Sequence, residues 1–539
     1  MADIVFVNGK IYTMDKNNPR AEAVGVKGNK IVKVGTNEEL LNLKNGETSI
    51  IDLEGKSMVP GFNDSHIHLL NCGYAMTLAD LKGTKSIDDI CEKMTAFISI
   101  NNIKDGDWVL GRGWNQDYFL GDKVFPSRYD LDRISKDHPI MITRACGHVA
   151  AINSKAIEEL NMDKEIPNIE GGEIDLDDNG QVLGLVRENA IGFVKKLIPS
   201  HSIDEIKKMI KSGAEALNKE GITSVGSDDF GALPGADYED IIQAYRDLSQ
   251  NNEINMRVYE QVRFKDLDSV KNFYKKGYKT GLGDERFKIG PLKLMLDGSL
   301  GARTAALNGP YKDDENARGV VTMSQEALDS YVQEAHDNDS HVAIHGIGDR
   351  SIYMSLEAIE KAMDGQENKL RHGIVHVQIT DDYILDKLKD LNVLAYIQPI
   401  FLDYDWNIVK DRVGEEREKT SYNWKRMVES GVPIACGSDA PVETFNVLKG
   451  IYQAVTRKDL EGKPEQGWLI DQALTVDEAI YGYTMGGAYA SFEEDIKGSI
   501  EVGKLADMVV LSQDIKGVHP DEIKDIKVDM TIFDGKIVN

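Results

Sequence analysis

Six side chains along this sequence could share a metal centre. His66 and His68 stand one residue apart in GFNDSHIHLL, Lys293 lies in PLKLMLDGS, His345 in HVAIHGIGD, His376 in RHGIVHVQ and Asp439 in GSDAPV. In an extended strand residues i and i+2 project to the same side, so His66 and His68 can reach one ion together. With two later histidines and an aspartate they form an N/O donor set suited to Zn²⁺, and Fe²⁺, Mn²⁺ and Co²⁺ accept the same donors. Each residue alone has a plainer reading, because an isolated histidine in an apolar run is usually a hydrogen-bonded core residue. Lys293 needs separate chemistry: an ammonium is repelled by a dication and ligates poorly at neutral pH. Buried near positive charge its pKa falls, and the neutral amine can add CO₂ to give a carbamate whose carboxylate bridges two ions. The alternative is a lysine that snorkels from its strand or pairs with Asp297.

Something must hold these groups on one rim. Short apolar β-type runs alternate with longer amphipathic segments, the pattern of βα units and a parallel sheet. Eight such runs occur: SMVPGFNDSHIH, GITSVGSDD, MRVYEQV, FKIGPLKLMLDGS, HVAIHGIGD, RHGIVHVQ, NVLAYIQP and VPIACGSDAP. Eight units predict an α/β fold of the (β/α)8 TIM-barrel type, with HPIMITRACGH at 138–148 left outside the barrel. In that fold catalytic groups project from the C-terminal ends of strands, which is where the six candidates fall. A stretch of about 72–200 is too long for an ordinary βα connection and reads as an inserted lid or substrate subdomain after barrel strand 1. The two ends both carry β-rich runs broken by Asn8-Gly9 or Asp534-Gly535, which are hairpin signals. They predict a composite β-sandwich from 1–58 and 496–539, with the metal-site barrel domain spanning 59–495.

At 539 residues and a formal net charge of -27, the chain is large enough for a barrel plus a smaller module, and its acidity argues against nucleic acid or an anionic membrane as partner. No run of 18 apolar residues and no signal-type N-terminus occurs, so a cytoplasmic protein is expected. The four cysteines are scattered without zinc or redox spacing and read as reduced. A small-molecule substrate is the expected partner, with a homodimer as the default assembly.

The stretches PGFNDSHIHL, RACGHVAAINS, PLKLMLDGSLGARTA, AIHGIGD, the H-x-x-x-H run ending at His376, GSDAPV and GSIEVGKLADMVVL together resemble the amidohydrolase superfamily. Within it the resemblance is to the YtcJ-like, amidohydrolase 3 branch, which includes N-substituted formamide deformylase-like enzymes. The resemblance spans nearly the whole chain. It implies a metal-dependent TIM-barrel hydrolase with His66 and His68 on the more buried ion, His345 and His376 on the more exposed one, a carboxylated Lys293 between them, and Asp439 moving protons. One ion or two is left open, since branches of the superfamily differ. Two positions depart from the family pattern: Asn63 precedes Asp64, and Val375 stands before His376 where an acidic residue is common.

The reaction expected is cleavage of a C–N bond in an amide, N-formyl compound or cyclic amide by metal-activated water, with Asp439 as the catalytic base. Deamination or ester hydrolysis on the same site is the near alternative, and a non-catalytic regulatory or binding barrel the distant one. His148, Asp297, Arg303 and Trp114 are candidate substrate contacts. Against that stand a loop ion pair for Asp297 and Arg303, a buried hydrogen-bonded His148 and a core Trp114.

Overall fold

The computed structural model describes residues 2–196, 198–233 and 235–539. The chain divides into two compact units, one of Met1–Cys72, Ile210–Ala232 and Ile241–Asn539, the other of Gly73–Met209 and Leu233–Asp240.

The first unit contains an eight-stranded, all-parallel sheet. Its strands are β1 (Phe62–Ile67), β2 (Ile222–Ser227), β3 (Arg257–Val262), β4 (Phe287–Met295), β5 (Val342–Gly346), β6 (Gly373–His376), β7 (Leu394–Ile397) and β8 (Ile434–Cys436), each hydrogen-bonded to the next. These are the eight runs expected from the sequence, and the fold is the α/β barrel. Strands buried on both faces need apolar residues at nearly every position, which is why runs such as VAIHG and GIVH stood out. The sheet comes close to closure, since Asp439 N–H donates to His66 O at 2.8 Å and His68 N–H to Ala440 O at 2.9 Å. The intervening helices are capped as their sequences dictate. Ser324 accepts from Ala327 N–H at the start of Gln325–Asp337, and Asp381 does the same for Asp382–Asp390.

Both termini build the sandwich. One sheet orders strands Lys30–Gly35, Ala23–Lys27, Ile4–Val7 and Ser49–Asp52; the other orders Lys536–Ile537, Val528–Phe533, Met508–Leu511, Ser57–Pro60, Lys10–Tyr12 and Arg20–Ala21. Phe6, Val24, Val26, Ile31, Met58, Met508, Val510 and Ile532 fill the space between them. Here one strand assignment changes. The run SMVPGFNDSHIH divides at Gly61: Ser57–Pro60 pairs with Met508–Leu511 in the sandwich, and β1 begins at Phe62. A Cβ at Gly61 would lie 2.2 Å from Thr223 Oγ1, so only glycine lets the chain cross there. Arg257, at the start of β3, ties barrel to sandwich by donating to Asp507 and Asp534 from a 2% exposed position.

The second unit is a six-stranded sheet in the order Gly172–Leu176, Val182–Glu188, Val149–Ile152, Ile140–Arg144, Val109–Trp114 and Ala79–Asp80. Alternation along its strands separates two apolar clusters, Ile140, Ile142 and Ala151 on one face, Met141, Ala150 and Ile152 on the other. Among the described residues no helix is long and apolar enough to cross a membrane.

Candidate metal centre

The six candidate groups stand at or just past the C-terminal ends of β1, β4, β5, β6 and β8. Ring centroids lie 5.5 Å apart for His66 and His68, 6.0 Å for His66 and His376, and 4.5 Å for His345 and His376. Lys293 Nζ is 3.2 Å from His66 Nε2. Asp439 Oδ1 is 3.1 Å from His68 Nε2 and 3.4 Å from His66 Nε2. The donor atoms of His66, His68 and Asp439 all lie within 4.8 Å of one another. The geometry therefore gathers the whole set.

A metal needs the imidazole lone pairs to face it, and the outer nitrogens decide this. His68 Nδ1 is 2.7 Å from the Asp228 carbonyl and His345 Nδ1 is 2.8 Å from Asp297 Oδ1; both partners can only accept, so each proton sits on Nδ1. His66 Nδ1 meets Gln261 Oε1 at 2.9 Å, and His376 Nδ1 meets Gln398 Oε1 at 2.8 Å. Each of these amides spends its N–H₂ on a backbone carbonyl, Ser65 O and Tyr396 O respectively, which turns its oxygen toward the histidine. In their neutral form all four rings thus carry the proton on Nδ1 and leave Nε2 for a metal, whose binding displaces any proton there.

The electrostatics also call for a cation. Burial alone would depress His68, yet its contact with Asp439 and the fields of Asp228 and Asp439 lift it to about 9. A dication is drawn to the same field. Burial, then the charge of Lys293, drives His66 well below the usual histidine range, and burial with the neighbouring His345 does so for His376. Lys293 falls to about 8, mainly through burial, against the opposing pull of Asp228 and Asp439. Backbone strain concentrates here too, with φ of 82° at His376 and 59° at Asp439, a left-handed conformation uncommon outside glycine. By donor type, tautomer and charge these residues fit a divalent metal.

The four candidate substrate contacts are placed differently. Asp297 is filled from within the protein: besides His345 it accepts from Ile347, Gly348 and Ala306 N–H and from Ser351 Oγ. That saturation makes it a support for His345 and leaves no lone pair for substrate. Arg303 forms a two-pronged pair with Asp313 at 3.1 and 2.8 Å, as the loop reading has it. Trp114 is fully buried in the second unit, edge-on to Phe125, and is a core residue. His148 is not buried; its side chain is 69% exposed in the second unit and pairs with Glu188. Gln261 and Gln398 were not singled out from the sequence, although each is the polar residue near the end of an apolar strand run, VYEQV and LAYIQ.

The sequence profile of the amidohydrolase family matches residues 49–539. The chain belongs to the amidohydrolase family. This amidohydrolase is 31% identical to YtcJ of Bacillus subtilis (strain 168) over 535 residues, covering 99% of each chain. It is 25% identical over 566 aligned positions to the N-substituted formamide deformylase of Arthrobacter pascens, covering 99% of this chain and 98% of that one. Among solved structures, an uncharacterized metal-dependent hydrolase from Pyrococcus horikoshii superposes with a TM-score of 0.78 at 29% identity, over 96% of this chain and 99% of that one. The general role that follows for this amidohydrolase is metal-dependent hydrolysis.

Proposed function

We propose that this amidohydrolase cleaves a C–N bond of a small amide, N-formyl compound or cyclic amide. The observation that carries the reading is the convergence of four histidines, each anchored by a partner on Nδ1 and so leaving Nε2 for a metal, beside the Asp439 carboxylate. His66, His68 and Asp439 would hold one divalent ion, Zn²⁺ by preference, with His345 and His376 available to a second. Lys293 would join the two as its carbamate, which its lowered amine pKa and burial favour. A divalent ion so held supplies Lewis-acid chemistry, acidifying water and polarising a carbonyl. Asp439 Oδ1 accepts the proton of the attacking water and returns it to the leaving nitrogen, a transfer that its position against His66 and His68 allows. The four histidines are pre-oriented because their outer N–H groups are tied to Gln261, Asp228, Asp297 and Gln398. The N-substituted formamide deformylase relative supports an amide or formamide as substrate class, and the acidic composition argues against polyanionic partners, in keeping with a small-molecule substrate.

The test is a screen of N-formyl, N-acyl and cyclic amides with metal-replete protein, followed by Asp439→Asn. Turnover is expected to fall by roughly 10²–10⁴. Undiminished hydrolysis by that variant would remove Asp439 as the proton carrier.

A further inference from the structure

Two adjacent aspartates after β2 have opposite surroundings. Asp229 is saturated, accepting from Leu70 N–H, Ser227 Oγ and Tyr245 Oη. Asp228 is just as buried, yet among the described residues neither of its carboxylate oxygens accepts a hydrogen bond. Its backbone is fixed to the metal-site strand, with N–H donating to Ile67 O and O accepting from His68. The cation beside it is Arg263, one residue past β3, with Nε 3.4 Å from Asp228 Oδ1. Nη2 of Arg263 donates to Phe230 O at 3.3 Å, while Nη1 has no partner among the described residues. The Arg263 side chain remains 34% exposed. The guanidinium is therefore backed by a buried carboxylate and a carbonyl, with one edge open, on the strand rim that carries the metal ligands. Its partner Asp228 carries the carbonyl that holds His68, which places the pair beside the centre.

In a protein of net charge -27, the arginine edge left open beyond Asp228 and Phe230 is not used by the fold among the described residues. It is explained by a ligand. We propose that Arg263 is the specificity residue of this site, pairing with the carboxylate of an amide substrate that carries an anion close to the bond cleaved, and that Asp228 is its positioning residue. Guanidinium suits the task because its planar fork meets a carboxylate with two parallel N–H bonds. The inference rests on the amide-hydrolysing reading for the substrate class and on the geometry of Asp228 and Arg263 for the anion.

The experiment measures binding, so that it does not depend on turnover. The affinities of N-formylglycine and of N-formylglycinamide, alike in size but differing in charge, are compared by calorimetry on full-length, metal-loaded protein, with metal content assayed throughout. The wild type is expected to favour the anion by tenfold or more. Arg263→Gln is expected to erase that preference with its metal content unchanged. Asp228→Asn, which keeps the shape, is expected to reduce the preference severalfold by loosening Arg263, read as the ratio of the two affinities at equal metal content. Equal affinity for the two compounds in the wild type, absence of binding by both, or a preference that survives in Arg263→Gln would each overturn the proposal. The last result would assign the carboxylate to the metal itself. Anion preference without hydrolysis of any amide would overturn the amidase reading and leave the recognition role standing.

Discussion

Strands β5 and β6 each carry a histidine at both ends, and the two ends behave oppositely. The spacing is the same, His341 and His345 on one strand, His372 and His376 on the next. At the C-terminal ends His345 and His376 bind the protein through Nδ1, and among the described residues their Nε2 atoms accept no hydrogen bond. At the N-terminal ends both nitrogens are consumed. His341 Nε2 meets Tyr259 Oη at 3.1 Å and its Nδ1 meets Arg371 O at 3.3 Å; His372 Nδ1 accepts from Val342 N–H and its Nε2 meets His336 Nδ1 at 3.0 Å. A histidine with one free nitrogen in a pocket can do chemistry, and a histidine with none holds the barrel shut. Strand polarity makes the difference, since a barrel concentrates function at its C-terminal rim and stability at its base.

The strongest way to break this contrast is to remove one member from each end. His376→Ala is expected to strip metal and hydrolysis together, with an affinity loss beyond the roughly 10–100-fold that second-sphere changes produce. His372→Gln is expected to retain full metal content and to lower the urea midpoint instead. Metal analysis of the two purified variants decides the matter, and equal metal loss in both would abolish the distinction.

Acid should act on the base first. Burial, assisted by neighbouring cationic groups, holds His341 at about 4 and His372 at about 3, against an unfolded value near 6.5. Folded-state values that are depressed mean that the neutral form is favoured by folding. The stabilisation is therefore complete above pH 6.5 and is lost as pH falls toward about 4. Linkage puts the loss on the order of 3 kcal/mol for each histidine between pH 7 and pH 4. Urea midpoints measured across that range should fall more steeply for the wild type than for His372→Gln, and parallel curves would show that the base histidines are not the acid-sensitive element.

A subtler change keeps the ligand and loosens its support. Gln398→Leu leaves His376 in place but removes the acceptor that fixes its tautomer. Metal affinity is expected to fall roughly 10–100-fold, with stability altered far less than by a base substitution. An unchanged metal dissociation constant would mean that packing against Phe401, stacked on the ring at 5.6 Å, is enough to orient His376.

These residues also show where reading a sequence reaches its limit. The eight strands were legible because burial on both faces demands continuous apolar runs, and the metal candidates were legible because each interrupts such a run near its end. Gln261 and Gln398 interrupt runs in the same way, yet a glutamine signals nothing until the histidine beside it is known. That pairing joins positions 195 and 22 residues apart. Asp297 misled for a related reason: a carboxylate in a family pocket segment invites a ligand role, and only the folded loop reveals the donors that fill it. The split of the run 57–68 between sandwich and barrel turned on the space left by Thr223, which no local pattern records.

Arg303 sets the lower bound of the comparison. Its guanidinium and Arg263's are both arginine forks facing aspartate, but Arg303 meets Asp313 in well-formed bonds on a partly exposed loop, and Arg412 pairs with the same carboxylate. With Arg412 remaining, Asp313 is not left bare when Arg303 is removed, and an exposed pair is worth at most about 1 kcal/mol. Arg303→Ala should therefore shift the urea midpoint only slightly and leave metal content and the ratio of N-formylglycine to N-formylglycinamide affinity as in the wild type. If the ratio collapsed instead, the anion would be read from the loop at 299–313 and not from the rim at Arg263, and the looser pairing of Arg263 with Asp228 at 3.4 Å would no longer distinguish the two arginines.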